Sequence, residues 1–316
     1  MSLALVTTSH SPLLEYAKPP IEVAAAVTEA IAQARSFVEN YQPTLVVSFG
    51  PDHYNGFFYD LMPPFCIGYE AIGVGDYGTP AGQLTVATDV AEQLARWVAT
   101  HDLDVAISRR MELDHGGIQA LDLLLGGIDK VPTIPIFVNS VAEPFVPMRR
   151  VRRLGEVIGE FLTTEPSLAK ERVLLVGSGG LSHDPPVPRW ATATEQQRAL
   201  LLDGRHPTPE ARQRREQGTM AVAREFAAGT ATIKDLNPTW DRAVMEIFTS
   251  GDLALADAMT PDQMAADAGN SSHEIRTWLA AFSALSAAGP YAVNSTFYRP
   301  IKEYIAGFGI ITARQA

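Results

Sequence analysis

The chain has 316 residues, 46% of them hydrophobic and 19% charged, with 25 basic against 36 acidic side chains and a formal net charge of −11. That balance excludes bulk binding of nucleic acid, which needs Lys and Arg to neutralise phosphates, and the hydrophobic fraction excludes wholesale disorder. Cys66 is the single cysteine, so no internal disulfide can form. No run of about 18 apolar residues offers a membrane span, and Met1–Thr7 lacks the basic start of a secretory signal. A soluble, cytoplasmic protein with a large core is expected.

Residues 2–8 read as a buried strand. Ile21, Ala24, Val27, Ile31, Ala34 and Val38 then recur at helical spacing, and Tyr41-Gln42-Pro43 ends the helix. Leu45 to Phe49 is the next strand, stopped by Gly50-Pro51. The stretch from Asn55 to Gly82 is aromatic and rich in Gly and Pro, which reads as an insertion or short hairpins able to wall a pocket near His53. Thr88 to His101 reads as a helix, with His101 at its C-terminus, where a cation suits the macrodipole. A short strand at Val105-Ala106-Ile107 precedes a helix from Gly116 to Leu125. Thr133–Val138 is a strand, Pro147–Leu162 a helix, and Val173–Val176 another strand. Past Pro188 the chain turns polar. Thr192 to Phe226 reads as helical with a break at Gly204–Pro209, which makes His206 a surface loop residue. Helices follow at Trp240–Thr249 and Ser272–Ala288, then a short aromatic tail from Phe297 to Phe308. Strands alternating with helices predict an α/β fold, a layered sheet with flanking helices, in one domain spanning 1–316.

Four of the seven histidines follow predicted strands: His10, His53, His115 and His183. In open α/β sheets the crevice beyond the strand carboxyl ends is where ligands bind. Imidazoles gathered there predict a metal site, an acid/base site, or both. His10 and His53 are the best ligand candidates, because a rigid strand end can fix each ring. Glu274 offers a third ligand if Ser271 or Ser272 caps the following helix and sets the carboxylate in its first turn. The plainer reading is that Glu274 serves only the cap. No H-E-x-x-H or C-x-x-C spacing, no P-loop and no Gly-x-Ser-x-Gly elbow occurs, so nitrogen and oxygen ligands remain, with His115 and His183 free for proton transfer.

Several long motifs carry a resemblance. Asp52-His53-Tyr54-Asn55-Gly56-Phe57-Phe58-Tyr59-Asp60, Ser9-His10-Ser11-Pro12-Leu13, Asp114-His115-Gly116 and Gly177-Ser178-Gly179-Gly180-Leu181-Ser182-His183 are among them, with Asn237-Pro238-Thr239-Trp240-Asp241, His273-Glu274-Ile275 and Tyr298-Arg299-Pro300-Ile301 later in the chain. In these the chain resembles the 2,3-dihydroxyphenylpropionate 1,2-dioxygenases, extradiol catechol dioxygenases of the class III, LigB-like superfamily. The likeness covers nearly the whole chain and is weakest over Ala191–Thr232, a helical segment.

The resemblance implies the LigB-like fold and non-haem Fe(2+) held by His10, His53 and Glu274, with open positions for a catechol and O2. It implies that His183 takes a proton from the catechol hydroxyl, and that His115 acts as general acid in the rearrangement that inserts oxygen beside the diol. Asp114 is expected to orient His115 or to support the ligands, and Ser182 to support the site or the substrate. The implied reaction opens the ring of 3-(2,3-dihydroxyphenyl)propionate to 2-hydroxy-6-oxonona-2,4-diene-1,9-dioate, and opens that of its cinnamate analogue likewise. Arg299 is a candidate for the propionate carboxylate, against the plainer reading of a surface arginine packed on Tyr298. A homo-oligomer is implied. Two other readings stay open: a relative acting on another catechol or an aminophenol, or using zinc, and a metal-free binding protein of the same fold.

Overall fold

The computed structural model describes residues 1–316. In chain order the elements are β1 (Ser2–Thr8), α1 (Ile21–Tyr41), β2 (Leu45–Gly50), β3 (Phe65–Gly68), β4 (Ala71–Val74), β5 (Ala81–Gln83), α2 (Thr88–Ala99), β6 (Ala106–Ser108), β7 (Met111–Leu113), α3 (His115–Leu125), β8 (Thr133–Val138), α4 (Met148–Thr164), β9 (Arg172–Ser178), α5 (Glu195–Asp203), α6 (Pro209–Ala227), α7 (Pro238–Ser250), α8 (Pro261–Ala268), α9 (Ile275–Ala287), β10 (Tyr291–Ile301) and β11 (Ala306–Gln315). Eight strands form one sheet in the order β10-β11-β1-β9-β2-β8-β3-β6, and β5-β4-β7 form a smaller one. The middle four, β1, β9, β2 and β8, are parallel, with β11 and β3 antiparallel on either side of them.

Parallel strands covered on both faces need side chains that are apolar on both faces, which is why Leu3–Val6 and Val173–Val176 read as unbroken apolar runs. Alternate side chains then serve different cores. Leu3, Leu5, Val47, Phe49, Val173 and Leu175 pack with α2, α4 and α9, while Ala4, Val6, Val46, Leu174 and Val176 pack with α1 and α3. The layered α/β architecture is the one expected. Helix α9 is pressed close against α4: a Cβ on Gly155 or Gly159 would stand 2.2 Å from the carbonyl oxygen of Ala280 or Ala284. Glycine there lets α9 pack deep, and α9 begins at Glu274's neighbour.

Two expectations change. The supposed tail at Phe297–Phe308 belongs to β10 and β11, a long antiparallel pair that extends the sheet past β1. From Ala306 to Ala313 every residue of β11 is buried, so no alternation marks it as a strand, and Gly307 and Gly309 lower its β-propensity. The stretch from Asn55 to Gly82 does contain a short hairpin, β4 with β5, but it is no mere insertion, because β3 lies inside it and pairs with β8 in the main sheet. No helix is long and apolar enough to cross a membrane.

Candidate active site

The register of the parallel strands builds the site. Thr8 lies opposite Ser178 and Phe49 opposite Gly177, so β1, β2 and β9 end side by side and their loops leave the same edge. His10, His53 and His183 follow those ends, and Glu274 comes in from the start of α9. Glu274 is fully buried. Its Oε2 lies 3.3 Å from His10 Nε2 and accepts the Gly180 N–H at 2.8 Å, while Oε1 lies 3.1 Å from both His53 Nε2 and His183 Nε2.

Each ring is held from behind. His10 Nδ1 meets Ser178 Oγ at 3.1 Å, and His183 Nδ1 meets the Leu181 carbonyl at 2.9 Å. Asp114 Oδ2 takes both the His53 backbone N–H (2.7 Å) and Nδ1 (3.0 Å). The loop carrying His53 is itself closed by Asp52, whose carboxylate accepts the backbone N–H groups of Asn55, Gly56 and Phe57. His115 opens α3, and its ring stacks on that of His53 at 4.5 Å between centroids. Asp76 accepts its backbone N–H at 2.8 Å and its Nδ1 at 2.6 Å.

The charges divide accordingly. Burial lowers the pKa of His10 to about 3, which keeps that ring neutral at ordinary pH. Burial alone would depress His53 too, but the charge and hydrogen bonds of Asp114 and Glu274 outweigh it and raise the pKa well above the usual value. His183 is raised in the same way, chiefly by Glu274 against its own burial. Burial would raise Glu274, yet His183 and His10 hold it well below the ordinary carboxylate range.

The donor set fits a metal. With Nδ1 of three rings engaged elsewhere, Nε2 lone pairs and carboxylate oxygens converge, and only a shared proton or a cation reconciles acceptors facing acceptors. Imidazole nitrogens with one carboxylate suit a divalent transition metal, and metal-binding histidines characteristically give their other nitrogen to such a partner. His10, His53 and His115 also offer ligand atoms within 4.8 Å of one another, as do Asp76, Asp114 and His115. Above this cluster opens a cavity of about 530 Å³, walled by Leu13, Tyr54, Phe58, Tyr77, Val187, Leu201 and Tyr304, with Arg212, Arg214 and Arg215 of α6 reaching it.

The structure brings together His10, His53, His115, His183 and Glu274, sets Asp114 behind His53, and leaves Ser182 and Arg299 outside the cavity. Asp114 holds His53 and not His115. Ser182 points away from the cavity, its Oγ 2.8 Å from Asp241 Oδ2. Arg299 is exposed on β10 and does not line the cavity, because its side of the strand faces solvent. No serine caps α9: Ser272 Oγ bonds the Met264 carbonyl, and Ser272–Glu274 form a short 3-10 turn that delivers Glu274 just before the helix. His101 stacks on Trp97, and His206 is exposed. Sequence reasoning missed Asp76, which sits in Gly75-Asp76-Tyr77-Gly78 and reads only as a turn. It also missed the α6 arginines, which lie in a segment that reads only as polar and helical.

A family model described as the catalytic LigB subunit of aromatic ring-opening dioxygenase matches residues 4–309. A protein of Rhodococcus rhodochrous named 2,3-dihydroxyphenylpropionate/2,3-dihydroxicinnamic acid 1,2-dioxygenase is 58% identical over 317 residues, covering 100% of this chain and 99% of its own. Proteins of the same name from Rhodococcus globerulus (54%; 99% and 98% covered) and Paraburkholderia phymatum (50%; 100% and 98% covered) are also similar.

Proposed function

This chain belongs to the LigB family of aromatic ring-opening dioxygenases, and from that premise we propose that it cleaves 3-(2,3-dihydroxyphenyl)propionate, and 2,3-dihydroxycinnamate, with O2. From the propionate the extradiol product is 2-hydroxy-6-oxonona-2,4-diene-1,9-dioate, which contains both oxygen atoms of O2; the cinnamate product keeps its side-chain double bond as well. The observation that carries the reading is the convergence of three Nε2 atoms on the buried Glu274 carboxylate at 3.1–3.3 Å, at the floor of a cavity with aromatic and apolar walls. That floor suits a metal and a diol, and those walls suit a benzene ring.

His10, His53 and Glu274 are the proposed ligands of Fe(2+). Bound there, ferrous iron would let a catecholate and O2 meet at one centre with open positions. His183 takes the proton of the catechol hydroxyl at Nε2, because Nδ1 is committed to the Leu181 carbonyl. His115 has Nδ1 fixed by Asp76, so Nε2 is left to deliver a proton as oxygen is inserted beside the diol. Phe58, Leu13 and Val187 shed water from the ring's faces. A cytoplasmic homo-oligomer is part of this proposal, and light scattering on the purified protein tests the assembly.

The test is reconstitution with Fe(2+) under anaerobic conditions, addition of the catechol, and then admission of O2. A yellow product formed with one O2 consumed per catechol is the expected result. Catechol binding without O2 uptake would mean another metal, such as zinc, or a non-catalytic site. Uptake with a different catechol or an aminophenol alone would correct the substrate.

A further inference from the structure

The cavity carries a charge pattern opposite to that of the chain. Glu274 lies beneath the histidines of its floor and no Asp or Glu is among its lining residues, while Arg212, Arg214 and Arg215 are, in a protein of net charge −11. None of the three is among the arginines that form ion pairs. Arg205, just before α6, is one of the paired ones, with its Nη1 3.3 Å from Glu112. The bonds that the cavity arginines make are to neutral acceptors. Arg212 Nη1 donates to the Val74 carbonyl at 2.8 Å, and Arg215 donates to the Tyr54 carbonyl at 3.4 Å and to Asn55 Oδ1. These contacts orient guanidinium groups without neutralising them. Glu216, on the same helix, is turned to the Tyr77 backbone N–H.

We propose that Arg212, Arg214 and Arg215 form the subsite that receives the side-chain carboxylate of the catechol, so that the cavity selects catechols bearing a short anionic chain. The inference rests on the reading of the site as catechol-cleaving. Guanidinium groups bind carboxylates through charge-assisted, often bidentate hydrogen bonds; Arg212 is half-buried, and Arg214 and Arg215 are exposed where they reach the cavity. Position supports the assignment. Asn55 accepts from Arg215 and donates through Nδ2 to Asp114 Oδ2 at 3.0 Å, and that oxygen holds His53. The cationic group therefore stands one side chain away from the support of a proposed metal ligand.

The experiment compares kcat/KM for 3-(2,3-dihydroxyphenyl)propionate with that for 3-propylcatechol, which keeps the ring and chain but lacks the carboxylate. Wild type, R212M, R214M, R215M and the triple Met variant are each reconstituted with Fe(2+). Losing a hydrogen bond to a charged group predicts about a 10- to 100-fold fall in the preference for the anionic catechol, carried by KM. Lysine at the same positions should restore part of it. A second arm measures calorimetric binding of 3-phenylpropionate, which lacks the diol, and needs no turnover. Wild type should bind it and the Met variants more weakly. A preference that stays within about twofold across all variants, against tenfold per 1.4 kcal/mol lost, overturns the subsite, as does a wild type with no preference. If wild type cleaves neither catechol yet binds 3-phenylpropionate through these arginines, the ring-cleavage reading fails and the subsite stands.

Discussion

Asp76 offers the sharpest check on the acid/base assignment, because no motif points to it and the structure gives it one partner of consequence. The substitution Asp76→Asn keeps the shape and an oxygen for the His115 backbone N–H, now bonded at 2.8 Å. It replaces the carboxylate oxygen that holds Nδ1 at 2.6 Å with a group able to present an N–H instead. Nδ1 must then accept that N–H and carries no proton of its own, so the ring is no longer the doubly protonated donor that gives up a proton from Nε2, or it rotates away from the cavity. A hydrogen bond to a charged group contributes about 1.5–3 kcal/mol, and each 1.36 kcal/mol is tenfold in rate. About a 10- to 100-fold fall in kcat is expected, with KM and iron content close to wild type, since Asp76 touches none of His10, His53 or Glu274. Steady-state O2 uptake with iron-reconstituted enzyme, beside a melting curve, reads all of this. A folded, iron-loaded D76N with kcat within threefold of wild type, where about tenfold or more is required, would refute the role given to His115.

The remaining predictions follow from the same geometry. His115→Ala and His183→Ala should each lower kcat by about 10²–10⁴-fold while the protein folds, as expected for loss of a proton-transfer group; turnover near wild type in either would remove that residue from the mechanism. Glu274→Gln keeps the packing but loses the charge on which three rings converge, so Fe(2+) affinity should fall at least about tenfold by metal titration, and an unchanged affinity would exclude it as a ligand. The metal-free protein should lose stability as pH rises above about 6.5, the unfolded histidine value. The reason is that His53 and His183 have raised folded values, so their contribution is complete below 6.5 and disappears as pH climbs through those values. Metal needs the deprotonated rings, so the rise in melting temperature on adding metal should be larger at pH 8 than at pH 6, and the reverse order would contradict the assigned shifts. Gly155→Ala places a Cβ 2.2 Å from the Ala280 carbonyl oxygen, and overpacking of this kind costs about 1–3 kcal/mol; an unshifted denaturant midpoint would show that α4 and α9 separate freely.

Much of the sheet was legible because its central strands are short, apolar and stopped by Gly, Pro or polar residues, as Leu45–Phe49 is by Gly50-Pro51. The edge pair was not. Strand β11 is buried throughout and interrupted by glycines, so neither period nor propensity separates it from loop. The site histidines were legible for a topological reason: a residue just after a strand of a parallel sheet has little freedom to be anywhere but the crevice. His10, His53 and His183 obey that rule. Residues that reach the crevice from a helix or turn do not, and so Asp76 and the α6 arginines carried no readable mark. For Arg299 a nearby motif pointed the wrong way, since the strand that carries it turns the side chain outward.

Neighbouring Asp114 and His115 show why adjacency in sequence misleads. Asp114 is the N-cap of α3, with extended backbone (φ −88°, ψ −171°), and its side chain folds back over the helix start to accept the Gly116 N–H. That pose aims its other oxygen at His53. His115 is the first helical residue, and its Nδ1 meets Asp76 at 2.6 Å, while the Asp114 oxygen that holds His53 stands 4.0 Å from it. The cap therefore assigns each acid to the other histidine: Asp114 steadies a proposed metal ligand, and Asp76 steadies the proton donor. Substituting Asp114 should accordingly weaken metal binding, whereas substituting Asp76 should slow turnover with metal in place. One helix start thus separates two functions that adjacent residues would otherwise share.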